Sequence, residues 1–148
     1  MAVSLVLVSH SQSLARGVKE VAEQMADSHV CIEPVGGIRD ERSGEVLLGT
    51  DALQIATAIE RCWSPAGVLI LVDLGSAILS AELALEMLPG SMRQSCLISN
   101  APLVEGAIVA ALEASFDRPL AAVNQAAEAA NTVQKIVRLA TNEEQQAP

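Results

Sequence analysis

Aromatic residues are almost missing from this chain. Trp63 and Phe116 are the only two, and there is no tyrosine. Proteins that bind single-stranded nucleic acid stack bases on aromatic side chains, so a stacking platform of that kind is excluded. The core has to be built from alanine, leucine, valine and isoleucine, which suits helices packed on a sheet.

Basic residues are also scarce: 9 Lys and Arg stand against 18 Asp and Glu, for a formal net charge of −9. This balance argues against a nucleic-acid partner, because a phosphate backbone is bound by clustered Lys and Arg. No apolar run approaches the roughly 20 residues that span a bilayer. The N-terminus also lacks the basic region and cleavage site of a signal peptide. We therefore expect a cytoplasmic protein with no membrane partner.

Several chemical motifs are absent as well. The sequence contains neither the nucleotide-phosphate motif Gly-x-x-x-x-Gly-Lys-Ser/Thr nor the Gly-x-Ser-x-Gly turn of serine hydrolases. It has no acidic cluster suited to a metal, and Cys31, Cys62 and Cys96 lack zinc-ligand or redox spacing. We expect the cysteines to be small buried side chains. The sequence predicts no metal and no cofactor, and the missing motif argues against direct binding of a nucleotide's phosphates.

What the sequence does contain is an alternation of strand and helix patterns. Short aliphatic runs predict strands at 3–9, 29–35, 67–72 and 94–99. Amphipathic or alanine-rich segments predict helices at 12–26, 51–63, 76–88, 103–114 and 119–139. This order is typical of an α/β doubly wound domain with a mainly parallel sheet of four to five strands and helices on both faces. We expect one domain over residues 1–140 and a polar tail over 141–148.

The segment 37–49 is unusually long for a connection between a strand and a helix. Glycines and the charged run Arg39-Asp40-Glu41-Arg42 lie within it. Two interpretations remain open, a functional loop and a solvated surface excursion. Gly49-Thr50-Asp51 follows, with Thr50 or Asp51 as the predicted N-cap of the next helix.

Two polar residues occupy equivalent places in this pattern. His10 follows the first strand, and Asp73 follows the third. These strands are commonly neighbours in doubly wound sheets, and ligands bind at the edge where they end. A carboxylate beside an imidazole fixes the tautomer and stabilises positive charge on the ring. The alternatives are a structural histidine and an Asp73 that only caps the following helix.

Helix N-termini are predicted around the same edge, at Ser11-Gln12, Gly49-Thr50 and Gly75-Ser76. Their unpaired N–H groups and positive dipole ends can bind a phosphoryl group. We expect Gly75 to let the backbone approach closely and Ser76 to add a hydroxyl donor. His10 and Asp73 are the candidate catalytic pair, and the candidate phosphoryl-binding residues are Ser11, Thr50, Gly75 and Ser76.

Four motifs in order give the chain a family resemblance. They are Val8-Ser9-His10-Ser11, Gly49-Thr50-Asp51, the run from Asp73-Leu74-Gly75-Ser76 to Glu82, and Ala101-Pro102-Leu103-Val104-Glu105-Gly106. Together they resemble the phosphotransferase subunit of bacterial PTS-dependent dihydroxyacetone kinase, whose first domain is similar to mannose-type enzyme IIA. The short Asp-Leu-Gly-Ser-Ala turn favours the dihydroxyacetone type over the sugar-transport type.

The resemblance implies a relay function. His10 would accept a phosphoryl group from HPr and pass it to ADP bound in the nucleotide-binding subunit of the kinase, while Asp73 orients the ring. It also implies a homodimer. Two other functions stay open: a mannose-type enzyme IIA of a sugar transporter, and a non-enzymatic regulatory module that senses phosphorylation.

Overall fold

The computed structural model describes residues 1–139 and contains six strands and six α-helices. In chain order they are β1 (Ser4–Ser9), α1 (Gln12–Glu23), β2 (Ile32–Gly36), β3 (Ile38–Arg39), β4 (Val46–Leu47), α2 (Ala52–Cys62), β5 (Val68–Val72), α3 (Gly75–Met87), α4 (Gly90–Arg93), β6 (Cys96–Ile98), α5 (Leu103–Ser115) and α6 (Leu120–Ala129). A 3₁₀ turn at Ala130–Thr132 follows. The predicted tail 141–148 lies outside the described residues.

The central sheet has four parallel strands in the spatial order β2-β1-β5-β6. Every residue of β1 and β5 is buried. Their uninterrupted aliphatic sequences fit this position, because a parallel strand covered on both faces has no solvent side to leave polar. The predicted α/β fold with a parallel sheet is confirmed, and the sheet has four strands.

Helices cover both faces of the sheet. Alternate residues of β1, such as Leu5 and Leu7, pack in one core cluster with α1, α5 and α6. The residues between them, such as Val6 and Val8, pack in the other cluster with α2 and α3. Side chains alternate along a strand with a period of two, so one aliphatic run supplies both cores.

The first helix differs in detail from its prediction. It ends at Glu23, and its buried residues are Ala15, Val18 and Ala22. Leu14, Val21 and Met25 share the helical spacing of Val18 and Ala22 in the sequence, and that spacing predicts one buried stripe, but the structure leaves these three side chains exposed. A 3.6-residue period allows overlapping stripes, and the one with two alanines faces the core. Small side chains let the helix lie close to the sheet.

The last helix is shorter than predicted. It ends at Ala129 instead of continuing to Leu139, and Val133 has extended backbone. Asn131, Thr132 and Val133 are poor helix formers in sequence. Where the helix was predicted to continue, the Asn131 side chain donates a hydrogen bond to the Asn100 carbonyl (3.4 Å). The short helix α4 was not predicted.

The segment 37–49 folds as a hairpin. Strand β3 pairs antiparallel with β4, with Ile38 opposite Leu47. Asp40 orders the turn, accepting hydrogen bonds from the Ser43 hydroxyl (2.7 Å) and from the Ser43 backbone N–H (3.3 Å). Gly44 has a φ of +72° in this turn, a conformation that favours glycine.

The three cysteines are free thiols. Burial raises the pKa of each, for Cys96 to about 11. Within residues 1–139, no helix has the length and apolarity needed to cross a membrane.

Candidate functional site

The carboxyl ends of β1 and β5 lie side by side at one edge of the sheet. The two strands pair from Ser4 opposite Val68 to Val8 opposite Val72. The Asp73 N–H donates to the Val8 carbonyl (3.1 Å), which continues the pairing by one residue. His10 and Asp73 therefore meet, as their places in the sequence predict.

Asp73 holds His10 through both the ring and the backbone. Its Oδ1 lies 3.0 Å from His10 Nδ1, and its Oδ2 accepts the His10 backbone N–H (2.9 Å). The Ser9 hydroxyl also donates to Oδ2 (2.9 Å), and the Leu74 N–H donates to Oδ1 (2.7 Å). Four donors on one carboxylate fix the position of the imidazole.

The pKa of Asp73 reflects these contacts. Partial burial acts to raise it, but the hydrogen bonds from His10, Ser9 and Leu74 outweigh burial and hold the pKa below its ordinary value. Asp73 is therefore ionised at neutral pH and acts only as an acceptor. The Nδ1 atom of His10 then carries a proton, and in the neutral ring Nε2 presents its lone pair.

That lone pair points to the outer side of the site. The Ser76 hydroxyl lies 2.7 Å from His10 Nε2, and with Nδ1 protonated the hydroxyl is the donor. The His10 side chain is 25% exposed, whereas Asp73 is 11% exposed. The orienting acid is thus the more enclosed partner, and the nitrogen without a proton faces the open edge.

The start of α3 borders this nitrogen. Leu74 occupies the N-cap position, and no side chain caps the helix. The interpretation of Asp73 as the cap of α3 is therefore wrong, because its oxygens are engaged with His10 and its neighbours. Gly75 is exposed, and a Cβ added there would meet nothing within 4 Å. The first-turn N–H groups at Gly75 and Ser76 remain open to an anion.

Two other predicted residues use their hydroxyls elsewhere. Ser11 is the N-cap of α1 and accepts the Leu14 N–H (3.2 Å). Thr50 shares a hydrogen bond with Ser80 of α3 (2.7 Å). Of the two candidate caps of α2, Asp51 is the one that caps it. The structure brings His10, Asp73, Gly75 and Ser76 together but engages the Ser11 and Thr50 side chains in structural contacts.

Sequence reasoning missed two residues of the site. Ser9 is fully buried and connects Asp73 to the Ser11 N–H, which donates to the Ser9 Oγ (3.0 Å). The Gly49 N–H donates to the His10 carbonyl (2.8 Å). The sequence did carry a signal for Ser9, which is a serine at the end of an apolar strand. The motif Gly49-Thr50-Asp51 placed Gly49 near this edge, but its hydrogen bond to His10 depends on how the hairpin folds back, which the motif does not show.

The site lies at an open edge of the molecule, where Leu74, Gly75 and Ser76 are exposed. A cavity of about 350 Å³ runs along β2 between α1 and α2, and His10 does not line it. Among residues 1–139, no three His, Cys, Asp or Glu side chains gather in a way that could hold a metal ion.

Known proteins resemble this chain over most of its length. The EIIA-man family model, described as the PTS system fructose IIA component, matches residues 4–124. The phosphoryl donor subunit DhaM of PEP-dependent dihydroxyacetone kinase 2 from Listeria innocua is 45% identical over 111 residues, which cover 75% of this chain and 85% of that protein. DhaM of Escherichia coli is 43% identical over 114 residues, which cover 76% of this chain and 24% of that protein.

A crystal structure also matches, that of EF1359, a protein of unknown function. It has a TM-score of 0.75 and 35% sequence identity, and the match covers 93% of this chain and 100% of that one. The chain spans most of the Listeria relative and about a quarter of the Escherichia coli one. The family resemblance predicted from the motifs is confirmed, and the chain belongs to the EIIA-man family of PTS IIA components.

Proposed function

We propose that this chain is the phosphoryl donor subunit of a dihydroxyacetone kinase and that His10 Nε2 carries the phosphoryl group. The observation that carries the proposal is the pair of contacts on the ring: Asp73 at 3.0 Å from Nδ1 and Ser76 at 2.7 Å from Nε2. The names of the relatives from Listeria innocua and Escherichia coli support the choice of kinase.

The chemistry assigned to the ring follows from its tautomer. The lone pair of His10 Nε2 attacks the phosphorus atom carried by the donor protein, HPr. As the new bond forms, the bond between phosphorus and the HPr nitrogen that carries it breaks, and its electron pair stays on that nitrogen. Nδ1 keeps its proton throughout, and Asp73 stabilises the positive charge that develops on the ring. Such a transfer depends on positioning and charge stabilisation.

The outer side of the ring supplies the groups that the phosphoryl oxygens need. The Ser76 hydroxyl turns from Nε2 to a phosphoryl oxygen once the lone pair is used. The open N–H groups at Gly75 and Ser76 add donors and the positive end of the α3 dipole. Of the other predicted phosphoryl-binding residues, Ser11 already uses its N–H and its hydroxyl within the turn, and the Thr50 hydroxyl contacts Ser80, so Gly75 and Ser76 are the proposed main donors.

The proposed partners are two proteins in turn. HPr donates the phosphoryl group, and ADP held in the nucleotide-binding subunit of the kinase accepts it. A site on an open edge suits this relay, since both partners have to reach the same nitrogen. We also propose a cytoplasmic homodimer, as the family resemblance implies, with residues 1–140 as the phosphotransferase domain.

The first experiment tests the site. The protein is incubated with phosphorylated HPr, and acid-labile phosphate is followed by 31P NMR and intact mass. We expect one phosphoryl group per chain, with none on His10→Ala. His29→Ala is the matched control, since His29 is the other histidine and contacts Asp117 (3.6 Å) rather than the site. Phosphate retained by His10→Ala contradicts the assignment.

The second experiment tests the acceptor. Phosphorylated protein is mixed with the nucleotide-binding and dihydroxyacetone-binding subunits, and dihydroxyacetone phosphate is measured. The proposal expects product with the wild type and a rate at least about 100-fold lower with Asp73→Asn, because an amide neither fixes the His10 tautomer nor stabilises the charge on the ring. No product, with discharge to a sugar-transport protein instead, favours the mannose-type alternative. A phosphorylated chain that discharges to no partner favours the regulatory module.

A further inference from the structure

The hairpin 37–49 is joined to the backbone of His10. The Gly49 N–H donates to the His10 carbonyl (2.8 Å), and the Gly37 N–H donates to the Gly49 carbonyl (2.9 Å). These two bonds close the base of the hairpin and attach it to the turn after β1. Both backbone polar groups of His10 are therefore held, the N–H by Asp73 and the carbonyl by Gly49.

Position 49 accepts only a residue without a side chain. Its φ is +154°, and a Cβ there would lie 2.4 Å from Ile38 Cδ1 and 2.9 Å from Ile38 Cγ1. Ile38 belongs to β3 and closes over the glycine. A side chain at this position has to displace Ile38 or move the Gly49 N–H away from His10.

A second glycine, Gly36, packs closely against the turn after β1 that carries His10. Gly36 ends β2 and pairs with Ser9. A Cβ at Gly36 would lie 2.4 Å from the Ser9 carbonyl oxygen and 2.9 Å from the Ser11 carbonyl oxygen. Both neighbours are backbone atoms of the turn that carries His10, so they cannot rotate away as a side chain would.

We propose that Gly49, held under Ile38, is a positioning residue for His10, and that Gly36 supports it from β2. Gly49 acts through the His10 carbonyl and touches no reacting atom. The hairpin thereby sets the direction in which Nε2 points toward a protein partner. This inference rests on the proposed function for its kinetic consequence, whereas its effect on the ring of the unphosphorylated protein is independent of that function.

The central variant is Gly49→Ala. We expect its rate constant for accepting phosphate from phosphorylated HPr to fall roughly 10- to 100-fold, because small misplacements of a reacting group have effects of this size. The KM for phosphorylated HPr should stay within about twofold, since the added methyl group meets Ile38 of the same hairpin. The His10 ring 15N signals should shift, and circular dichroism should report a folded protein.

A double variant tests whether the contact between position 49 and Ile38 causes the loss of rate, or whether Gly49→Ala damages the protein in general. In Ile38→Ala/Gly49→Ala the two close contacts are gone, and only the Ile38 Cβ position remains, at 3.8 Å, an ordinary contact distance. We expect this double variant to recover part of the lost rate and to move the ring signals back toward wild type, because the contacts with Ile38 are relieved while the strain of a positive φ at position 49 remains. The single Ile38→Ala variant completes the cycle. Failure of the double variant to recover either property contradicts the proposal.

Gly36→Ala and Gly44→Ala form the second, independent comparison. Gly44 lies in the same hairpin with a φ of +72°, but a Cβ there would meet nothing within 4 Å. We expect Gly36→Ala to shift the His10 ring signals and slow phosphorylation, and Gly44→Ala to do neither. Equal losses in both variants, or a wild-type ring in Gly36→Ala and Gly49→Ala, overturn the inference. If wild-type protein accepts no phosphate, the proposed function fails, and the ring signals alone still decide the positioning role.

Discussion

Asp73 is the residue on which the site depends most. Its side chain is partly buried, and its oxygens accept hydrogen bonds from His10, Ser9 and Leu74. Each of these bonds involves a charged acceptor, which makes them stronger than bonds between neutral groups. The same carboxylate thus fixes the tautomer of His10 and joins the ends of two strands.

The lowered pKa of Asp73 predicts a pH dependence of folding. A carboxyl group whose pKa is lower in the folded than in the unfolded chain stabilises the fold above its unfolded value of about 3.9. That contribution is lost as the pH falls through the folded pKa. We expect Asp73→Asn to reduce the free energy of unfolding at pH 7 by about 1–3 kcal/mol, the cost of disrupting buried charged hydrogen bonds.

Urea unfolding at several pH values measures this effect. The difference between Asp73→Asn and wild type should shrink once the pH is below the folded pKa, where Asp73 is protonated. Exposed Asp27, replaced by Asn, is the control and should show little difference at any pH. A difference for Asp73→Asn that stays constant from pH 7 into acid would contradict the assignment of its stability to the ionised form.

At the scale of elements, glycines have opposite roles in two helices. A Cβ at Gly17 of α1 would meet nothing within 4 Å. A Cβ at Gly106 of α5 would lie 2.7 Å from the Ala101 Cβ and 3.2 Å from Leu71 Cδ2. Gly106 is therefore what lets α5 lie against the end of β5 and the loop after β6, whereas Gly17 only weakens its helix.

Replacing each glycine by alanine should change stability in opposite directions. Gly17→Ala should raise the free energy of unfolding by about 0.5–1 kcal/mol, because alanine restricts the unfolded chain and favours helix. Gly106→Ala should lower it by about 1–3 kcal/mol, the range for overpacked sites. Thermal and urea unfolding of both variants give the comparison. A stabilised Gly106→Ala protein would show that α5 can move away from β5 at little cost.

At the scale of the whole molecule, the sheet separates two apolar cores. Leu69 belongs to the core shared with α1, α5 and α6, and Ile59 belongs to the core under α2 and α3. Both residues are fully buried. By contrast, Leu79 on the outer side of α3 is 69% exposed. The stability of the domain should therefore divide between two largely independent packing regions.

Truncations on the two sides of the sheet should add. Leu69→Ala should cost about 2–5 kcal/mol, and Ile59→Val about 0.5–1.5 kcal/mol. The double variant should equal their sum within about 0.5 kcal/mol, because they share no core. Leu79→Ala is the surface control and should stay within about 0.5 kcal/mol of wild type. A coupling energy above 1 kcal/mol would mean that the sheet transmits packing changes between its faces.

The sequence by itself determined the four strands of the sheet, the five longer helices and the edge at which His10 and Asp73 lie. The short aliphatic runs in β1 and β5 indicate strands covered on both faces, and His10 and Asp73 follow them directly. Parallel neighbours end at the same edge, so the two residues had to meet there. The sequence did not determine the helix ends: α1 and α6 are shorter than their patterns, because apolar spacing does not show where packing stops.

Only the tertiary structure decided how each polar group is used. Asp73 could have capped α3, and the hydroxyls of Ser11 and Thr50 could have faced the phosphoryl site. Instead Asp73 serves His10, Ser11 caps α1, and Thr50 contacts Ser80. The hairpin bond from Gly49 to His10 is of the same kind. A hydrogen bond between distant segments depends on the packing that brings them within reach, and the local pattern of residues does not record it.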